Sequence, residues 1–181
     1  MSKDALILVD IQNDYFPGGL WPVEGMEAAA ERAAHLLSAA RTSGQMVVHV
    51  RHEMASDKAP FFRPASKGAE IADAVAPAQG EMVLTKARPN SFLGTGLFDL
   101  LKAADVTAVT LCGAMSQMCI DATARAAADH GFKVRVVADA CAAKSLVFNE
   151  VSVPAPQVHA TIMAALQGTY AEIVTAKDIT A

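Results

Sequence analysis

The chain has 181 residues, long enough for one domain that buries roughly 70% of its unfolded surface. Hydrophobic residues make up 52% and charged residues 19%, which excludes a disordered chain. With 15 Lys+Arg against 19 Asp+Glu the net charge is −4, so there is no basic excess to hold a nucleic-acid backbone or an anionic membrane surface.

No apolar run approaches the roughly 20 residues that span a bilayer. The apolar start of the chain is short and closed by Asp10, with no small-residue cleavage site, so it does not read as a signal peptide. The expected location is the cytosol. Cys112, Cys119 and Cys141 form no CxxC pair and no zinc spacing, and read as free thiols.

In chain order, Leu6 to Asp10 predicts a buried strand. Glu24 to Ser43 predicts a helix that stops at Gly44, a helix C-cap residue. Gln45 to Arg51 and Glu81 to Lys86 predict the second and third strands. Gly96 to Ala104 is a short helix, Ala108 to Cys112 a fourth strand, and Met118 to His130 a helix ended by Gly131. Lys133 to Ala138 is the fifth strand, Ala155 to Leu166 a helix and Tyr170 to Thr175 the sixth strand. This alternation predicts a mainly parallel sheet with helices on both faces. The stretch from His52 to Gln79 is rich in Pro, Ala and charge, and reads as a lid or binding loop. No repeat or linker breaks the chain, so residues 1–181 are expected to form one domain.

Ligands of open α/β sheets lie beyond the carboxyl ends of the strands, which directs attention to the polar residues there. Asp10 closes strand one and reads either as a general base or as a turn-capping residue. Lys86 closes strand three, as a partner for a carboxylate or as a lysine reaching solvent. Cys119 follows strand four at a predicted helix start, where unpaired N–H groups lower a thiol's pKa and offer donors to an oxyanion. Cys112 and Cys141 read as small core residues. A carboxylate, a cation and a thiol at strand ends form the set that nucleophilic acyl transfer requires.

Three segments, in order, resemble the isochorismatase-like cysteine hydrolases. They are Asp10-Ile11-Gln12-Asn13-Asp14-Tyr15-Phe16, Lys86 with Asn90-Ser91-Phe92, and Gly113-Ala114-Met115-Ser116-Gln117-Met118-Cys119-Ile120-Asp121 running on through Ala127. Asp139-Ala140 also fits. The superfamily includes nicotinamidases, N-carbamoylsarcosine amidohydrolases, ureidoacrylate-type amidases and the isochorismatases.

The resemblance implies a three-layer α/β/α fold on a six-stranded, Rossmann-like, mainly parallel sheet. It implies Asp10, Lys86 and Cys119 as the catalytic set. It also implies a cis Ala114–Met115 peptide that aims the backbone N–H groups of Met115 and Cys119 at an oxyanion. A homo-oligomer, dimer or tetramer, is implied as well. Nicotinamidases hold a metal through an Asp-x-His motif after strand two. Here that stretch reads Val50-Arg51-His52-Glu53-Met54, without Asp-x-His, so no metal is expected, and the implied covalent mechanism needs no organic cofactor.

Isochorismatases lack the cysteine, so Cys119 favours hydrolysis of a C–N bond in a small amide, ureido or carbamoyl compound. A vinyl-ether hydrolase, a non-catalytic binding protein on the same fold and a thiol redox sensor are the alternatives. Phe16, Trp21, His52, Phe62 and Phe148 are the candidate substrate-binding residues, with Arg51, Phe61 and Met115 as further neighbours. Each also reads as core packing or a solvated strand end.

Overall fold

The structure is a computed structural model that describes residues 3–180. Met1, Ser2 and Ala181, which the one-domain expectation includes, lie outside the described residues. All six expected strands are present: β1 (Lys3–Val9), β2 (Met46–His52), β3 (Met82–Lys86), β4 (Val106–Ala114), β5 (Lys133–Ala142) and β8 (Glu172–Val174). They form one sheet in the order β3-β2-β1-β4-β5-β8, with every pairing parallel. The chain runs outward from β1 to β3, then returns to place β4 on the other side of β1. That reversal opens a crevice between the carboxyl ends of β1 and β4.

Strand periodicity divides the core between the two faces. Leu6 and Leu8 of β1 point into one apolar layer, where α1 (Met26–Ser43) packs through Ala29, Ala33, Leu36, Leu37 and Ala40. Its alanines let the helix approach the sheet closely. The helix ends at Gly44, whose φ of 69° suits a residue without a β-carbon and whose N–H returns to the carbonyls of Ala40 and Arg41. Ala5, Ile7 and Val9 point the other way, against Leu97 and Leu101 of α2 (Leu97–Ala103), Ala124 and Ala127 of α3 (Asp121–Asp129) and Met163 and Leu166 of α4 (Ala155–Leu166). The result is the expected three-layer α/β/α arrangement. No helix among the described residues is long and apolar enough to cross a membrane.

The strands around the crevice run further than their sequence suggests. β4 continues to Ala114 and β5 to Ala142, because Gly113 pairs with Cys141 and Ala114 with Ala142 beyond a register shift. The Asp139-Ala-Cys-Ala stretch has weak strand propensity, and neighbouring strands impose the extended form on it. The helix expected from Met118 starts later, at Asp121, after a π-helical turn over Ser116–Ile120.

The stretch before α4 is a hairpin. β6 (Leu146–Phe148) and β7 (Val151–Val153) pair antiparallel around Asn149 and Glu150, both at positive φ, the backbone of a two-residue hairpin turn. A short helix, α5 (Ala176–Thr180), closes the described chain, with Asp139 Oδ1 accepting its first N–H.

The segment from 52 to 79 is a fastened strap. Phe62, Ala69 and Val75 enter the first core layer. Gln12 donates to the carbonyls of His52 and Ala69, and Asp14 Oδ2 accepts the N–H of Phe62 at 2.6 Å.

Candidate active site

Four strand ends deliver the polar groups of one cluster. Asp10 directly follows β1 and has φ of 53°, a left-handed conformation unusual for a side chain other than glycine, asparagine or aspartate. Its N–H is fixed by the Val50 carbonyl at 2.9 Å, which turns its carboxylate beyond the sheet edge. His52 and Lys86 end β2 and β3 and face each other as register partners, so their side chains share a sheet face.

Cys119 comes from the π-helical turn after β4. The Ala114–Met115 peptide is cis, and the Met115 carbonyl accepts from the amides of Met118 and Ile120, which bracket Cys119. Gly113 allows β4 to reach this turn. Its φ is 127°, and a β-carbon there would run into the Val9 carbonyl.

Lys86 is the hub. Its Nζ lies 2.7 Å from Asp10 Oδ2, 3.2 Å from Cys119 Sγ and 3.2 Å from His52 Nδ1. An ammonium has three N–H donors, and here it faces three partners: hydrogen-bond contacts to Cys119 and His52 and an ion pair with Asp10. Asp10 and Lys86 side chains have no exposure and Cys119 retains 3%, so the cluster is nearly sealed from water. Met118, beside Cys119, is 45% exposed, which puts solvent one side chain away from the turn.

Electrostatics follow from that burial. Burial pushes the Asp10 pKa up, and the Lys86 ammonium opposes it. Burial alone would lower Lys86, but the Asp10 charge and the contacts with Asp10 and Cys119 hold it above its ordinary value, as a cation. Burial and then the Asp10 charge push the Cys119 thiol upward, against the pull of Lys86. This corrects the expectation from sequence that a helix start would lower the thiol. Desolvation outweighs the backbone dipoles here, so the resting sulfur carries its proton and the thiolate forms only when a base removes it.

The other candidates divide. Phe62 is fully buried, 4.5 Å from the Tyr15 ring and 6.0 Å from His52 between centroids, so it backs the cluster. Trp21 stacks on Phe61 at 4.9 Å and receives Lys144 over its face, and Phe16 packs partly buried against the same layer. Arg51 is engaged with Thr85 and Glu53. Phe148 is 76% exposed on the β6–β7 hairpin, and within this chain it is not gathered into the cluster with Lys86. A cavity of about 760 Å³ lined by Phe132, Lys133, Tyr170 and Glu172 lies at the amino ends of β5 and β8, away from Cys119.

Two neighbours carried no separate assignment from sequence. Gln12 clamps the backbone of His52, accepting its N–H at 2.7 Å and donating to its carbonyl at 2.8 Å. Tyr15 is buried with the charges of Asp10, Cys119 and Asp14 acting on it. Both stand inside the first motif, but only the fold gives them partners.

Asp10, His52 and Cys119 bring possible metal-ligand atoms within 4.8 Å of one another. The Lys86 ammonium lies within 3.2 Å of one such atom from each of the three residues, so these groups already neighbour a cation supplied by the chain.

The parallel sheet carries this buried acid–lysine–thiol cluster at its switch point, and comparison with known proteins identifies the family. Residues 4–178 match the isochorismatase domain model, and the chain belongs to the isochorismatase family. An uncharacterised isochorismatase family protein of Bacillus subtilis is 46% identical over 171 residues, 94% of this chain and 95% of that protein. A maleamate amidohydrolase of Pseudomonas putida is 38% identical over 149 residues, 75% of this chain and 70% of that enzyme. A crystal structure of an isochorismatase-type hydrolase from Oleispira antarctica superposes with a TM-score of 0.96 at 47% identity, covering 99% and 96% of the two chains.

Proposed function

We propose that the protein is a cysteine-dependent hydrolase that cleaves a C–N bond of a small amide, ureido or carbamoyl compound through a thioester. The observation that carries this reading is the position of Lys86 Nζ, 2.7 Å from the Asp10 carboxylate and 3.2 Å from the Cys119 sulfur. One buried cation thereby holds a base and a nucleophile together.

Asp10 takes the proton from Cys119 as the sulfur attacks the carbonyl carbon, and Lys86 stabilises the charge that shifts between them. The N–H groups of Met115 and Cys119 hold the oxyanion. Losing one such donor typically costs roughly 10²–10³ in rate. As the C–N bond breaks, Asp10 returns the proton to the leaving nitrogen. Water then attacks the thioester, giving a proton to Asp10, and the released thiolate recovers it. The raised pKa of the thiol suits this scheme, because a sulfur protonated at rest needs a neighbouring base.

The similarity to a maleamate amidohydrolase favours an amide that also carries a carboxylate. The scheme as written draws on no organic cofactor or metal. The reading includes a homo-oligomer, consistent with Val147 and Phe148 exposed on the hairpin, and light scattering against the 18.9 kDa monomer mass tests that part.

The test of function is ammonia release from a panel of small amides, carbamoyl amino acids and ureido acids, with maleamate as the first member. Cys119→Ala is expected to lower turnover by roughly 10⁴-fold or more and to remove any thioester adduct seen by mass spectrometry. Turnover retained in that variant excludes the covalent route.

A further inference from the structure

We infer that His52 is a positioning residue for Lys86, and that its Nδ1 takes the third ammonium N–H so that the other two stay on the Asp10 carboxylate and the Cys119 sulfur. The inference deepens the cysteine-hydrolase reading and rests on it.

The geometry has three parts. First, His52 Nδ1 lies 3.2 Å from Lys86 Nζ, the same separation as the Cys119 sulfur. Second, His52 is held independently of Lys86. Gln12, itself fully buried, bonds to both its N–H and its carbonyl, and the Phe62 ring lies 6.0 Å from the imidazole. The backbone of His52 is therefore fixed without help from Lys86, and it sets the imidazole beside the ammonium. Third, β2 stands between β1 and β3, so the residue ending β2 is the one that can support a lysine stretching from β3 to Asp10.

An ammonium in a dry site is stabilised only when its donors are met. Without Nδ1 one N–H is stranded, and the cation loses both stability and a fixed position. An imidazole that accepts at Nδ1 must be neutral, with its proton on Nε2. Burial and the neighbouring cations favour the neutral ring over an opposing contact with the Ala87 backbone, and Nε2 is buried with no hydrogen-bond partner among the described residues. Lys86 and Arg88 are the cations acting on the ring, and Asp10 and Cys119 are the groups of opposite or developing opposite charge beside it. Burial and the Lys86 charge push the His52 pKa down to about 4, so the acceptor is present at neutral pH.

The test compares His52→Leu with His52→Asn, whose side-chain oxygen can accept in place of Nδ1. The readout is the rate at which iodoacetamide alkylates Cys119, followed by peptide mass spectrometry across pH, beside thermal melting. His52→Leu is expected to alkylate at least about tenfold more slowly at neutral pH, the loss of one bond to a charged donor, while His52→Asn recovers to within about threefold. Should the Leu variant not fold, His52→Ala is read in the same way. Alkylation by the folded Leu or Ala variant at the wild-type rate overturns the inference, as does equal slowing in Asn and Leu, which marks a merely steric role. Alkylation needs no substrate. If the amide panel fails while the Asn rescue holds, the hydrolase reading falls and the Lys86 support stands; if Cys119→Ala abolishes hydrolysis while His52→Leu alkylates normally, only the present inference falls.

Discussion

Lys86 reaches Asp10 across the whole width of β2: Nζ stands 2.7 Å from Oδ2, and neither side chain has any exposure. A buried pair of this kind contributes little as a pair, because desolvation opposes the attraction, but losing one partner strands the other charge. Lys86→Met is therefore expected to destabilise the fold by about 3–5 kcal/mol at neutral pH. The double variant Asp10→Asn/Lys86→Met should recover a large part of that loss in urea denaturation while remaining inactive. A double variant no more stable than Lys86→Met would show that Asp10 gains nothing from the lysine's charge.

Gly113 is held to its identity by two constraints at once. Its φ of 127° disfavours any side chain, and an added β-carbon meets the Val9 carbonyl. Gly113→Ala is expected to cost about 3 kcal/mol or more and to lower activity as well, since β4 carries the Cys119 turn. Thermal melting with an alkylation assay checks both. Wild-type stability would mean that β1 and β4 can separate without penalty.

Acid stability follows from histidines held neutral. His52 is pushed down to about 4, and burial also lowers His49 and His159. In the unfolded chain these imidazoles titrate near 6.5. Below that pH the unfolded chain binds more protons than the folded one, so stability falls as pH drops from about 6.5 towards 4. The share from His52 amounts to about 3 kcal/mol at most. Glu81, bonded first to Arg41, is pushed down to about 2, and its contribution is lost between about 4.5 and 2. Asp10, shifted upward, acts in the opposite sense. Denaturant midpoints at pH 7, 5.5 and 4.5 should decline, and His52→Asn should flatten the decline. A wild-type midpoint constant over that range would contradict it.

One carboxylate fastens the strap beside the Gln12 bonds. Asp14 Oδ2 accepts the Phe62 N–H and Oδ1 accepts the Leu20 N–H at 3.0 Å, while Gly68 packs so close that a β-carbon would displace the carboxylate. Asp14→Ala is expected to cost about 2–4 kcal/mol, and Gly68→Ala a comparable amount. Because both act through the same two bonds, the double variant should cost clearly less than the sum. Melting temperatures and limited proteolysis between 52 and 79 provide the check, and strict additivity would separate the two residues.

The sequence by itself determined the six strands, the α1 stop at Gly44 and the candidate trio Asp10, Lys86 and Cys119. These depend on local signals: short apolar runs, a C-cap glycine and polar residues at strand ends. Tertiary structure decided what those residues do to one another. Strand order put β2 between Asp10 and Lys86, so His52 became the third acceptor of the lysine, a role that no spacing along the chain encodes. Pairing with β4 extended β5 through a stretch of weak strand propensity. Burial reversed the expected shift of the Cys119 thiol, because desolvation depends on the whole surrounding shell of atoms and a helix-start motif reports only its own backbone.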